Sequence, residues 1–192
     1  MRKKNTEPLQ TSTYYHIYNR GVDSKAIFRD DMNYFYFLNL YAKYIPLVAD
    51  TYAYCLMGNH FHFLIKTKSS IEITAAITNP VRVQHPSSFI SVQFSKLFNS
   101  YAQAYNKMYD RTGTLFETPF RRKEVIDERY FTGLIYYIHS NPTKHGVCND
   151  FTKYRHSSYS SFISDKNTQL KKAEVLEWFG GEKRFIEFHQ VK

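Results

Sequence analysis

The sequence predicts an α+β fold, in which an antiparallel β-sheet carries helices packed on one face and a tail follows at the C-terminal end. Three observations support this class. The stretch from Thr51 to Lys66 divides into two runs of β-branched, aromatic and aliphatic residues around the turn-forming pair Gly58-Asn59, which is typical of a β-hairpin. Two longer segments repeat apolar residues at helical spacing. The elements follow the order β-α-β-β-α-β-α along the chain.

The length of 192 residues suits one domain, or one domain with an added tail. We expect a flexible N-terminus at residues 1–12, a main domain at residues 13–146 and a C-terminal extension at residues 147–192. No apolar run reaches the roughly 18 residues of a membrane span, and the basic N-terminus lacks the apolar stretch of a signal peptide. Cys55 and Cys148 fit neither a disulfide framework nor a zinc site. These features predict a cytoplasmic protein without membrane contact.

The charge and the aromatic content indicate a nucleic-acid partner. The formal net charge is +9 and aromatic residues make up 18% of the chain. A basic surface attracts a polyanion, and exposed aromatic rings stack on unpaired bases. The same composition also fits a protein whose phenylalanines fill the core and whose lysines only keep it soluble.

The first strand is predicted from Thr13 to Asn19 and ends at Arg20. Because strand side chains alternate, His16 and Tyr18 lie on one of its faces. Asp30 or Asp31 caps a helix that runs to about residue 44, and the hairpin follows. Residues 69–88 read as a long connection with a short helix near 71–77, and a second long helix covers residues 89–108.

In the second strand of the hairpin, His60 and His62 point to the same face, about 7 Å apart by the rise of a strand. Such a pair can chelate one metal ion, although the spacing H-x-H also occurs by chance. The final strand is predicted from Lys123 to Ile126, beside the densest basic cluster of the inner sequence, Arg121, Arg122 and Lys123.

The next helix is capped by Asp127 and carries Tyr137 and Asn141, which are neighbours on one flank because they are four residues apart. Tyr130 lies on that flank as well, whereas Tyr136 points nearly away from it. Pro142 disfavours helix at Asn141 and predicts that the pair sits in the last turn. Helix physics alone favours a structural interpretation, in which the tyrosine lies at the core boundary and the asparagine ends the helix. In the extension, Gly180-Gly181 predicts a helix break.

Several motifs between Tyr14 and Tyr159 together resemble a known family, and they cover most of the chain. They are YYHIYNRG, YCLMGNHFHFLI, RTGTLFETPFRRK, YIHSNP followed by HG, and YRHSSY. The chain resembles the single-tyrosine HUH transposases, and most closely the REP-associated tyrosine transposases. The resemblance implies a ferredoxin-like or RRM-like HUH nuclease fold.

The resemblance also implies a function and a set of site residues. The expected activity is cleavage and rejoining of single-stranded, hairpin-bearing DNA through a covalent 5′-phosphotyrosine. Tyr137 would be the nucleophile, and His60, His62 and Asn141 would bind a divalent Mg²⁺ or Mn²⁺ ion. Insertion-sequence relatives carry the longer Gln in place of Asn141. The expected DNA contacts are His16, Asn19, Arg20, Arg121, Arg122 and Lys123, and for His16 a structural role is an equal alternative.

Three other classes share part of this pattern. A rolling-circle replication nuclease of the HUH type uses the same histidine and tyrosine logic. A non-catalytic binder of single-stranded nucleic acid would use the same surface without these residues. A metal-dependent phosphohydrolase would use water as nucleophile and would stay active after Tyr137→Phe. The sequence is compatible with a monomer and with a homodimer.

Overall fold

The computed structural model describes residues 8–76, 85–127 and 129–191. Within them, a single antiparallel sheet has the strand order β2-β3-β1-β4. The predicted α+β class with an antiparallel sheet is therefore confirmed. The strands are β1 (Tyr14–Arg20), β2 (Ala49–Met57), β3 (His60–Thr67) and β4 (Arg121–Glu124).

The helices follow the predicted order. They are α1 (Asp31–Tyr44), α2 (Ser70–Ala75), α3 (Pro86–Met108), α4 (Arg129–Lys144), α5 (Tyr159–Phe162), α6 (Lys172–Phe179) and α7 (Glu182–Val191). Asp30 caps α1 by accepting a hydrogen bond from the backbone nitrogen of Asn33, as expected. The break between α6 and α7 falls at Gly180 and Gly181, which both have positive φ. The predicted connection at residues 69–88 lies partly outside the described residues.

Helices α1 and α3 pack on one face of the sheet. Aromatic rings dominate this layer: Phe37 of α1 contacts Phe61 of β3, and Tyr41 stacks on Phe63 with ring centroids 4.4 Å apart. Phe98 of α3 also stacks on Phe61. This face is the helix-covered face that the apolar spacing of both helices predicts.

The second face was expected to be open, but α4 and the C-terminal helices cover it along β2. Ala53 and Cys55 of β2 and Leu64 of β3 are fully buried there, in one cluster with Phe131 and Ile135 of α4. The reason is the composition of these strands, which are apolar on both faces and need cover on both. Beside β1 and β4, where the strands carry polar residues, α4 leaves a cavity.

The extension is joined to the sheet by backbone hydrogen bonds. The nitrogen of Leu56 donates to the carbonyl of His156 at 2.9 Å, and Thr51 forms a bridge with Leu170. At the other end of the chain, Leu9 is completely buried. The division at residues 12 and 146 stays a prediction. No helix in the described part of the chain is long and apolar enough to cross a membrane.

Helix α4 continues through Pro142 to Lys144, so Asn141 lies in its last turn, as the sequence predicted, and Tyr137 lies in the turn before it. The side chain of Asn141 reinforces this turn, because its Nδ2 donates to the carbonyl of Tyr137 at 2.6 Å. A proline removes one backbone donor from a helix, and this side-chain bond adds another donor in the same turn. Asn141 therefore lies in the last turn of the helix without ending it.

Candidate active site

A cavity of about 240 Å³ opens on the second face of the sheet, between β1, β3, β4 and the C-terminal half of α4. The strand register explains why polar side chains meet there. Arg20 lies opposite His60, and Tyr18 lies opposite both His62 and Arg121. Partners across antiparallel strands share a face, so three strands direct side chains into one space. The lining residues are Tyr18, Asn19, Arg20, His60, His62, Arg121, Tyr137 and His145.

His60 and His62 are both buried, and their rings stand nearly perpendicular with centroids 5.3 Å apart. Each ring has its Nδ1 atom engaged. The Nδ1 of His60 lies 2.6 Å from Oδ1 of Asn59, and the Nδ1 of His62 lies 2.9 Å from Nε2 of His16. An amide oxygen only accepts, so His60 carries its proton on Nδ1 and keeps a free lone pair on Nε2. That is the form in which an imidazole binds a metal ion.

The electrostatics of the cavity keep both imidazoles neutral. Burial lowers the pKa of His60 to about 4, with smaller contributions from His145 and Arg20. Burial lowers the pKa of His62 to about 2, and the neighbouring histidines His16 and His60 lower it further. Both side chains therefore remain deprotonated at neutral pH without any change in the fold, which suits metal binding.

Asn141 is completely buried, and its two amide atoms differ in their surroundings. Nδ2 donates a hydrogen bond to the carbonyl of Tyr137, whereas Oδ1 has no hydrogen-bond partner within the described residues. The side chain of Asn141 interacts with His60, where it opposes in small part the lowering of the pKa of that imidazole. A buried acceptor without a partner costs about 1–3 kcal/mol, so it is rarely left without a ligand.

A divalent metal fits this set of donors. Within residues 8–76, 85–127 and 129–191, no group of three or more His, Cys, Asp or Glu side chains is arranged to hold a metal ion. Two imidazoles alone would make an incomplete shell, and the buried amide oxygen of Asn141, which has no hydrogen-bond partner among the described residues, would be a third donor. Mixed nitrogen and oxygen donors suit Mn²⁺, and the oxygen donor suits Mg²⁺.

Tyr137 is 37% exposed and borders the cavity. Its ring stands edge-on to that of His62 with centroids 5.6 Å apart, and Nζ of Lys144 lies 4.8 Å from the ring centre. Tyr136 points to the opposite side, where its ring contacts Phe151 of the extension. Tyr130 is 70% exposed and does not line the cavity. Of these three tyrosines, Tyr137 is the one whose ring contacts His62 in the cavity.

The residues that were expected to contact DNA differ in their position relative to the cavity. Arg20 and Arg121 line the cavity, and Lys123 lies on the same face, opposite His16 in the register. Asn19 is buried, and its amide donates to the carbonyl of Glu117 at 3.0 Å. Arg122 points to the other face of the sheet, because neighbours along a strand alternate.

His16 is directed at His62 rather than at solvent. Burial, followed by the charge of Lys123, lowers the pKa of His16 to about 4, so the ring is neutral. Its Nε2 faces the Nδ1 of His62, and its ring stacks on that of His62 at 5.0 Å. A residue that orients a metal-binding histidine is expected to make such a contact.

His145 is a cavity residue that the sequence interpretation missed. Its ring centroid lies 4.9 Å from that of His60. The signal was present in the spacing, because His145 follows Asn141 by four residues and Tyr137 by eight, and all three therefore lie on one helical flank.

A buried chain of hydrogen bonds fixes α4 to the extension. His139 of α4 lies 3.0 Å from His189 of α7 and 2.8 Å from Oγ of Ser158. The Nδ1 of His189 lies 2.8 Å from the carbonyl of Phe185, which only accepts, so this nitrogen carries the proton. The Nδ1 of His139 then donates to His189. With both rings neutral, each ring nitrogen has a partner.

Comparison with known proteins supports the fold. No family model matches the chain, and no curated protein matches it. A solved structure of the REP-associated tyrosine transposase bound to a REP hairpin has a TM-score of 0.57 and 10% sequence identity, covering 86% of this chain and 87% of that one. The resemblance inferred from the motifs is thus confirmed at the level of the fold.

A second solved structure, a bacterial tRNA(His) guanylyltransferase-like protein in complex with GTP, has a TM-score of 0.45 and 12% identity. It covers 73% of this chain and 67% of that one. A likeness of this size carries no argument about function.

Proposed function

We propose that this protein is a DNA transposase-type endonuclease that cleaves and rejoins single-stranded, hairpin-bearing DNA through a covalent 5′-phosphotyrosine on Tyr137. One observation carries the proposal. Tyr137 shares a single cavity with His60 and His62, and the unpartnered amide oxygen of Asn141 lies one helical turn further along α4. The solved structure with the same fold is a transposase bound to a hairpin, which agrees with such a substrate.

His60, His62 and Asn141 would hold a divalent Mg²⁺ or Mn²⁺ ion. When bound, the ion supplies Lewis-acid polarisation of a phosphate oxygen. The protein's own part is to keep the imidazoles neutral by burial and to fix their orientation through Asn59 and His16.

In the cleavage step, the phenolic oxygen of Tyr137 forms a bond to phosphorus and loses its proton to solvent. The bond between phosphorus and the 3′ oxygen breaks, and the 3′ oxygen leaves with the electron pair and takes up a proton. The products are a 5′-phosphotyrosine and a free 3′ hydroxyl, and the reverse reaction rejoins a strand. The cations Lys144, Arg20 and Arg121 surround the attacking group and offset the negative charge of the phosphate.

The activity is tested by incubating the protein with a library of labelled single-stranded oligonucleotides, with and without hairpins, in Mn²⁺ or Mg²⁺. We expect a covalent protein–DNA adduct with hairpin-bearing strands that survives denaturation and disappears in EDTA. Binding without any adduct or cut strand would favour the non-catalytic binder. Cut strands without an adduct would favour a phosphohydrolase that uses water.

A further inference from the structure

A second cavity, of about 580 Å³, lies on the other side of β4, between α3 and the segment 113–120. Its base is apolar and includes the buried rings of Phe98, Phe116 and Phe120. Its α3 wall carries small and amide side chains, including Ser95, Asn99 and Gln103. In the described part of the chain, the amides of Asn99 and Gln103 make no hydrogen bond, so they are available to a ligand.

Arg122 gives this cavity its charge. The guanidinium carbon lies 4.3 Å from the ring centre of Phe120, and the buried Nε has no hydrogen-bond partner in the part of the chain that the structure describes. Among the described residues, no carboxylate forms an ion pair with Arg122. The nearby carboxylate of Glu117 is already paired with Arg121 at 3.2 Å. The cavity is therefore lined by a guanidinium that no carboxylate of the described residues neutralises, above an aromatic floor.

The two cavities are neighbours across one edge of the sheet. Asn19 lines both of them, and Arg121 and Arg122 are consecutive residues whose side chains point to opposite faces. Among the strands that the structure describes, β4 pairs only with β1 and is an edge strand, so a DNA strand that leaves the first cavity can pass over it. Consecutive nucleotides of a single strand can then place a phosphate near Arg121 and a base beside Arg122.

We propose that this second cavity receives an unpaired purine base of the DNA strand bound at the Tyr137 site, with purine N7 accepting a hydrogen bond from Arg122. The inference rests on the proposed function. Three features support a purine. The guanidinium matches the acceptor edge that purines present at N7, the phenylalanine rings offer an apolar surface to an unstacked base, and the free amides of Asn99 and Gln103 suit the remaining polar edge of the base.

The test uses a DNA hairpin with an eight-thymidine single-stranded flank on each side, in which one thymidine at a time is replaced by deoxyadenosine or deoxyguanosine. Fluorescence anisotropy at fixed salt gives the dissociation constants. We expect one flank position at which a purine tightens binding about tenfold, since a good pair of hydrogen bonds to a base contributes roughly 1–3 kcal/mol of discrimination. The 7-deaza analogue, which lacks only the N7 acceptor, loses most of that gain.

Protein variants connect the effect to the cavity. Arg122→Gln should abolish the purine preference, and Arg122→Lys should also lose it because an ammonium lacks the planar fork of donors. Lys107→Gln removes one positive charge from an exposed position of α3 that does not line the cavity, so it should keep the preference. No preferred position in the wild type, or an unchanged preference in both Arg122 variants, overturns the inference.

The adduct assay separates this inference from the proposed function. Adduct formation on Tyr137 with no purine preference rejects the purine site alone. If the hairpins are neither bound nor cut, the proposed function fails. In that case, NMR titration of the Arg122 Nε–H signal with dAMP and dGMP tests the cavity directly, and an unshifted signal rejects it.

Discussion

The side-chain amide of Asn141 is tied to the backbone carbonyl of Tyr137 by a hydrogen bond of 2.6 Å. The bond occupies Nδ2, and the buried Oδ1 of this side chain, which interacts with His60, has no hydrogen-bond partner among the described residues. The residue that would complete a metal site and the residue that would attack the phosphate are therefore held by the same helical turn. A change in either position is expected to affect the other.

Replacing Asn141 should weaken metal binding without abolishing it. In Asn141→Ala, water can take the place of one neutral donor, so we expect roughly a tenfold higher Mn²⁺ concentration for half-maximal adduct formation. Isothermal titration with Mn²⁺ should show the same shift in the absence of DNA. Asn141→Gln, which restores the longer side chain of the insertion-sequence relatives, should lose less than Asn141→Ala. An unchanged Mn²⁺ affinity in both variants would remove Asn141 from the metal site.

His60→Ala and His62→Ala should each abolish cleavage, while the affinity for DNA stays within a few-fold of the wild type. The reason is that phosphate contacts elsewhere supply most of the affinity. EDTA treatment of the wild type should reproduce the loss. His85→Ala serves as the control, because His85 is exposed and lies outside the cavity. Full activity in chelator, or equal losses in the control, would contradict the metal assignment.

His16 should act through His62 rather than by contacting DNA. Removing its hydrogen bond in His16→Ala should lower the Mn²⁺ affinity about tenfold to a hundredfold, as expected when the partner of a metal-binding histidine is lost. Excess Mn²⁺ should restore adduct formation, and His16→Gln, which keeps a polar partner, should be milder. If His16 contacted DNA instead, the dissociation constant for the oligonucleotide would rise and Mn²⁺ would not rescue it.

The β-hairpin and the shared face of His60 and His62 could be predicted from the sequence, because the alternation of side chains along a strand is a local property. The choice of Tyr137 over Tyr136 likewise follows from helical geometry. The contact between His16 and His62 could not be predicted, because it depends on the register that places His16 opposite Leu64 and diagonal to His62. Local residue preferences do not determine which residues of two separate strands face each other.

The packing of the extension was also beyond local reasoning. His139 and His189 are separated by 50 positions, and their contact requires that α7 fold back onto α4. Only the apolar composition of both faces of β2 and β3 indicated that a second helical layer was needed. Pro142 correctly indicated the end of α4, although the helix runs two residues beyond it and the side-chain hydrogen bond of Asn141 supports that turn.

The burial of His189 should make stability depend on pH. Burial lowers the pKa of His189 from 6.5 to about 4 in the folded protein. The unfolded state therefore binds more protons between these values, and the free energy of unfolding decreases as the pH falls from 6.5 towards 4. For His189 alone, the decrease in the free energy of unfolding is on the order of 3 kcal/mol, because each pKa unit corresponds to about 1.4 kcal/mol.

Urea unfolding at pH 5, 6 and 7 measures this effect. His189→Gln should be less stable than the wild type at pH 7, and its stability should change less with pH. The difference between the two proteins should shrink as the pH is lowered. Parallel curves for the two proteins over this range would show that His189 does not titrate with folding.

The last prediction separates the nucleophile from its neighbours. An attacking oxygen must come within about 3 Å of phosphorus in line with the leaving group, so only a tyrosine at the cavity can react. Tyr137 borders the cavity beside His62, whereas the ring of Tyr136 packs against Phe151 and Tyr130 faces solvent. Tyr137→Phe should therefore abolish cleavage and the adduct, while Tyr136→Phe and Tyr130→Phe should still form it. Mass spectrometry of the trapped adduct should place the nucleotide on Tyr137, and a nucleotide on Tyr130 or Tyr136 would overturn the mechanism.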